Sequence, residues 1–377
     1  MTPPTTADRN SAMMKQWADI KARHQGALLW FRVGDFYEMF HDDARTGARV
    51  LDITLTSRGD GIPLAGVPVR AAAEYLRQAL AAGHRVAICE QVEDPKLAKG
   101  LVRREVVQTI TPGALLEDGW IPGTRNNWIV AVSADGWTDG PMDRTVGLAA
   151  IDLSTGEFML ETLSRSALPE AISRLSPAEI VRPVRDTGPS DHRSIGPSVV
   201  HTERDVWHFD PALAADDLAR HFGLASLDGL GLTPADASAV GAAGALIRYL
   251  GEIQPGGLGH LARPRARRAD AHLWVDEMTR RNLELVDPLR AGARGTTLLE
   301  TIDCTLTPMG ARLLRQWLLS PLREPSLIVE RLDAVEACAR DTRGRGRLRE
   351  AFDGVRDLER LAGRAAAGRA TPRELGA

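Results

Sequence analysis

Three cysteines stand in 377 residues, at positions 89, 304 and 338. They are too few and too scattered for a disulfide framework or a zinc-binding set, and they read as three reduced core thiols. Lysine is scarce too, at 4 of the 47 basic residues. No apolar run reaches the roughly 18 residues of a membrane-spanning helix. The opening MTPPTTADRN is polar and carries Asp8, so it does not read as a secretory signal. No phosphate loop of the GxxxxGKS/T type occurs; Gly256-Gly257-Leu258-Gly259 lacks the Lys and Ser or Thr that would follow. The nine histidines form no HExxH pair or His/Cys/Asp cluster, and Ser194 lies in no nucleophile elbow. These absences lead us to expect a cytoplasmic protein with no metal or other cofactor in this chain. They also lead us to expect no ATP hydrolysis by the chain alone.

What is present is unevenly charged. Residues 1–110 hold 15 basic and 13 acidic side chains, residues 111–259 hold 10 and 20, and residues 260–377 hold 22 and 17. The outer parts can approach a polyanion. The acidic middle is expected to contact protein rather than phosphate.

Hydrophobic spacing predicts a helix over Met13–Lys21, a strand over Ala27–Arg32 and a helix over Phe36–Ala48. A strand over Val50–Thr56, a helix over Pro68–Ala82 closed by Gly83, and strands over Arg85–Glu90 and Arg103–Thr109 complete a first α/β unit. Strands over Trp128–Ser133, Thr145–Asp152, Glu157–Thr162 and Glu179–Pro183 open a second. Helices over Ser166–Leu175, Pro211–Phe222 and Ala235–Gly251 accompany them, and 185–197 reads as loop. Gln254–Gly259 reads as a linker or edge loop. Beyond it, Pro308–Leu319, Glu324–Ala339 and Ala351–Ala365 look helical, the last with an apolar face of Leu358, Leu361 and Ala365 that lacks a partner. Asp152, Glu157 and Glu161 border the middle hairpin. Such carboxylates could hold magnesium, although solvated ends and faces of edge strands are their ordinary role.

The most informative stretch is Gly34-Asp35-Phe36-Tyr37-Glu38-Met39-Phe40. Phe36 and Phe40 could both be core residues, with Tyr37 and Glu38 on a polar face. Alternatively, Phe36 and Glu38 put a ring and a carboxylate two residues apart at a helix start. There the ring could wedge between bases and the carboxylate could meet an exposed base edge.

This motif, with blocks on both sides of it, resembles the bacterial MutS family of DNA mismatch-recognition proteins. The resemblance runs from Met14-Lys15-Gln16-Trp17 and residues 27–33 through residues 51–56, 62–68, 86–91 and 109–113. Later it includes Arg281-Asn282-Leu283-Glu284-Leu285, residues 298–310 and Asp357-Leu358-Glu359-Arg360-Leu361. It implies an α/β mismatch-binding domain over 10–118 and an α/β, ribonuclease H-like connector domain over 126–255. An incomplete, mainly α-helical core or lever domain follows over 262–377. It further implies that Phe36 stacks at a mispair or small loop from the minor groove while Glu38 contacts the mispaired base, with Tyr37 packed or supportive. The partners implied are double-stranded DNA with a mispair or small insertion loop, a second copy in a homodimer, and downstream mismatch-repair proteins. ATP and Mg2+ are expected only for a C-terminal ATPase domain that the sequence does not reach. The alternative is a truncated structural or protein-interaction fragment without useful DNA affinity.

Overall fold

The computed structural model describes residues 6–376 except 59–60, 94–99, 117–118, 134–143, 185–198, 255–256, 269–270 and 291–294, with side chains from residue 12 onward. The predicted 185–197 loop thus lies outside the described residues. Contacts divide the chain into two compact units, 1–112 and 113–377.

The first unit is a six-stranded sheet with helices on its faces. Its elements are α1 (Thr6–Arg23), β1 (Ala27–Val33), β2 (Phe36–Phe40), α2 (His41–Leu51), β3 (Thr56–Arg58), β4 (Ile62–Pro68), α3 (Ala72–Ala81), β5 (Arg85–Gln91) and β6 (Arg104–Ile110). The strand order is β3-β4-β2-β1-β5-β6. Only β1 and β5 run parallel; the other neighbours are antiparallel. Met13, Trp17 and Ile20 of α1 pack on Leu29, Phe31, Phe40, Ala87 and Cys89 of the sheet. Asp43 ties three elements together. Its carboxylate accepts from Lys21 Nζ at 2.7 Å and from the Leu29 amide at 3.0 Å, which satisfies a charge that burial would otherwise penalise.

The helix predicted from Phe36 is corrected by this sheet. Residues 36–40 form β2, and α2 begins only at His41. Phe36, Met39, Phe40 and Ala44 do fit a helical period, but the pairing of β2 with both β1 and β4 decides the outcome. Gly34 makes the geometry possible. The hairpin between β1 and β2 has a two-residue loop, Gly34-Asp35, and Gly34 takes φ +58°, where glycine carries no Cβ penalty. The strand predicted over 50–56 is displaced to Thr56–Arg58, since Val50 and Leu51 finish α2. β4 was not legible as a separate strand.

The second unit holds another six-stranded sheet: β7 (Trp128–Val132), β8 (Thr145–Asp152), β9 (Glu157–Ser164), β10 (Glu179–Pro183), β11 (Val200–Arg204) and β12 (Arg265–Arg267), in order β11-β10-β7-β8-β9-β12. Strands β7, β8 and β9 form an antiparallel meander, and the outer strands pair parallel. Helix α4 (Leu168–Leu175) covers Val130, Val132, Leu148 and Ile180 on one face. Helices α5 (Pro211–Phe222) and α6 (Ala237–Ile253) cover Ile129, Ala131, Ala149, Ile151 and Leu160 on the other. Strands β7 and β8 are buried on both faces, so their apolar runs are nearly continuous, whereas β9 alternates buried with half-buried residues along most of its length.

Helices then follow: α7 (Glu277–Asn282), α8 (Leu298–Ile302), α9 (Pro308–Leu319), α10 (Pro325–Arg340), α11 (Thr342–Phe352), α12 (Leu358–Ala366) and α13 (Pro372–Leu375). The single helix expected over 351–365 is two helices. Asp353-Gly354 separates them, with Gly354 at φ +80°. The face that α12 buries is not Leu358, Leu361 and Ala365 but Arg360, Gly363 and Arg364; Leu358 is 59% exposed. Arg360 donates to the carbonyls of Ile121, Pro122 and Arg125. Arg312 of α9 donates to Gly123 O at 2.8 Å and to both carboxylate oxygens of Asp357, at 2.6 and 2.8 Å. Two arginines therefore clamp segment 121–125 onto the helices. Helix α10 buries no residue, and Leu327, Val329, Leu332 and Val335 stand open. The cysteines also depart from expectation: Cys89 is a core thiol, whereas Cys304 and Cys338 are exposed.

Candidate nucleic-acid interface

Alternation along β2 sorts its side chains. Residues i and i+2 share a face, so Phe36, Glu38 and Phe40 point one way and Tyr37 and Met39 the other. Phe40 is fully buried under α1, with its ring 5.9 Å from Trp17. Phe36 lies at the hairpin end of the same face and is 47% exposed. The all-core reading of the motif therefore holds for Phe40 and fails for Phe36.

Glu38 sits between them, half-buried. Arg58 reaches it from β3, with Nη1 3.0 Å from Oε2, and lies 6.0 Å from the Phe40 ring centre. Burial pushes the Glu38 carboxyl above its usual range. The charge and hydrogen bond of Arg58, and the charge of Arg104, pull it back without cancelling the shift. Arg104 is buried over the Phe31 ring at 4.9 Å and donates to Arg32 O, Val102 O and Gln16 Oε1. It also borders a groove of about 610 Å³ between α1 and β6, where Lys15, Arg23 and Arg103 face Asp19 and Glu105. Nothing in the sequence around Arg58 points to its pairing with Glu38. The partners are 20 residues apart, and no local pattern announces a contact made across a sheet.

Tyr37 supports the opposite face. It is 7% exposed, its ring lies 5.8 Å from Trp30, and its hydroxyl donates to Glu90. Burial and the neighbouring carboxylate raise its phenol to about 12.

The acidic trio of the second unit is neither solvated nor gathered into a metal site. Asp152 is fully buried and accepts from Ser154 and from the side chain of Asn126 and the amide of Asn127. Glu161 is held between Arg174 and Arg267. Glu157 takes Asn126 and Gln316, and burial beside Asp152 raises its carboxyl. Strand β9 is not an edge, because β12 covers it. Among the described residues no group of three His, Cys, Asp or Glu could hold a metal ion, and no helix is long and apolar enough to cross a membrane.

Fold and site together define a multidomain protein of two mixed α/β sheets followed by helices, with an aromatic ring presented at a hairpin end. Residues 11–119 match MutS domain I, residues 127–262 match MutS domain II and residues 278–377 match MutS domain III. Among similar proteins, the DNA mismatch repair protein MutS of Desulfosudis oleivorans is 41% identical over 372 residues, covering 96% of this chain and 41% of the relative. That of Salinibacter ruber is 41% identical over 382 residues, covering 100% and 42%. That of Rhodopseudomonas palustris strain BisA53 is 42% identical over 390 residues, covering 100% and 42%. The chain belongs to the MutS family and spans about two fifths of the length of these relatives.

Proposed function

We propose that this chain recognises mispaired or looped DNA from the minor groove, with Phe36 as the wedge and Glu38 as the acceptor for a base edge. The observation that carries this reading is an exposed ring and a half-buried carboxylate side by side on one strand face. A ring without hydrogen-bond demand can replace lost base stacking. It inserts most cheaply where a mispair has already weakened the helix. A carboxylate near phosphates repels the duplex unless a base offers a donor, so Glu38 tests the base rather than adding bulk affinity. The basic groove behind Arg104 supplies cations for the flanking backbone.

In this reading residues 10–118 are the mismatch-binding domain, 126–255 the connector and 262–377 the start of the helical core. The run β9-β8-β7-β10-β11, three antiparallel strands followed by two parallel ones, supports a ribonuclease H-like connector. The chain acts in the cytoplasm as part of an ATP-dependent MutS dimer that engages downstream repair proteins. ATP and Mg2+ belong to a C-terminal ATPase domain outside these 377 residues. A second reading, a protein-interaction fragment, draws support from the open apolar side chains of α10.

Paired titrations of Phe36→Ala with matched and mismatched duplexes at one salt concentration test the first reading. Loss of one stacking contact, roughly 1–3 kcal/mol, predicts about a ten- to hundredfold loss of mismatch affinity and a much smaller change for the matched duplex. Urea unfolding should move little, because the ring is exposed. Equal weakening of both duplexes, or no mismatch preference in the parent chain, overturns the reading.

A further inference from the structure

Strand interiors seldom hold glycine without cause, since it packs nothing and loses the most conformational entropy on folding. Gly66 sits inside β4, directly opposite Glu38 in the ladder with β2, where Tyr37 faces Val67 and Phe36 faces Pro68. A side chain at 66 would therefore share the face of Phe36 and Glu38. A Cβ built there would lie 3.7 Å from Phe36 Cδ1, 3.9 Å from Glu38 Cγ and 3.5 Å from Tyr37 O. These are ordinary contact distances, so neither packing nor backbone conformation requires glycine. The methyl would nonetheless occupy the gap between ring and carboxylate.

We infer that Gly66 is a specificity-determining position: its missing side chain keeps open a notch between Phe36 and Glu38 that admits the edge of a mispaired base. A base stacked on the Phe36 ring must still bring its edge to the Glu38 carboxylate, and the two side chains stand two residues apart on one strand. Arg58 holds one oxygen of that carboxylate at 3.0 Å and so fixes one wall of the notch. Gly66 is its floor. A floor that rises by one carbon lifts the base away from one wall or the other, whereas contacts to phosphates elsewhere are untouched.

This inference rests on the mismatch-binding reading, and the experiment keeps the two apart. Gly66→Ala and Gly66→Val are made in the full chain beside Phe36→Ala. Each is titrated with matched and mismatched duplexes and unfolded in urea. The expected result for Gly66→Ala is an unchanged or raised urea midpoint, unchanged matched-duplex affinity and about a tenfold loss of mismatch affinity, with a larger loss for Gly66→Val. If Phe36→Ala abolishes mismatch preference while both Gly66 variants keep it, the notch is wrong and the wedge stands. If Phe36→Ala also keeps the preference, or the parent shows none, the underlying reading fails and the notch with it. Unfolding of Gly66→Ala would assign the glycine to packing and overturn the inference.

Discussion

Arg58 Nη1 lies 3.0 Å from Glu38 Oε2, a contact that spans β4 to join the edge strand of the first sheet to the strand bearing the exposed ring. Both side chains are mostly shielded, at 25% and 18% exposure, so the pair is worth more than an ion pair in open water.

Removing the arginine should show in a pH series. Burial already holds the Glu38 carboxyl above 4.5 against the pull of Arg58, so Arg58→Gln raises it further. A carboxyl raised by folding contributes stability that is present below its unfolded value and lost as pH rises through its folded value. Arg58→Gln should therefore lose about 1–3 kcal/mol at pH 7 and distinctly less near pH 4. Urea unfolding at both pH values checks this; an equal loss at both would exclude the ion pair as the cause.

Tyr37→Phe separates support from recognition. The variant loses a hydrogen bond to the Glu90 carboxylate, which should cost about 1–2 kcal/mol at neutral pH. Mismatch preference should survive, because Tyr37 points away from Phe36 and Glu38. The phenol is raised from 10.0 to about 12, so the parent loses stability as pH climbs from 10 toward 12. Tyr37→Phe should lack that alkaline loss, which denaturant midpoints across the range would reveal. A variant that folds normally but no longer prefers mismatches would place Tyr37 in the recognition surface instead.

Asp357→Asn tests the clamp on segment 121–125. Arg312 is 3% exposed, and the variant leaves its guanidinium with Glu359 and Gly123 O as partners. Glu359 still balances the buried charge, so the loss of the two Asp357 contacts predicts a cost of about 1–3 kcal/mol. Burial alone would raise the Asp357 carboxyl, but the hydrogen bonds and charge of Arg312 outweigh it and hold it below 3.8. Its contribution is therefore present above that value and fades as pH falls through the folded value. The parent should show an acid limb that Asp357→Asn lacks; overlapping acid limbs would argue that the pair adds nothing.

Much of the fold was legible in the sequence wherever one chain segment carried the whole signal. Helices α5, α6 and α9 and strands β7, β8 and β10 follow from their own periodicity and turn residues. Strand β2 did not, because Phe36 and Phe40 satisfy a helical and a strand spacing equally, and only pairing with β1 and β4 separates them. The break between α11 and α12 carried a local sign, the Asp353-Gly354 dipeptide, that the apolar spacing on either side obscured. The carboxylates of Asp152 and Glu161 read as solvated because their partners, Asn126, Arg174 and Arg267, come from other elements. At the candidate site, the Phe36–Glu38 spacing was visible from the sequence. Arg58 and Gly66 became visible only through strand register.

Strand β12 has only three residues, yet it lies between the α6 helix and the helices of the C-terminal region, and it runs parallel to β9. A pull directed along the strand would load this short ladder in shear, so its hydrogen bonds would resist together rather than peel one by one. Arg267 adds an ion pair to Glu161, its register partner on the neighbouring strand. The junction is thus fastened at one edge of the sheet, where the chain passes from the sheet to the helices.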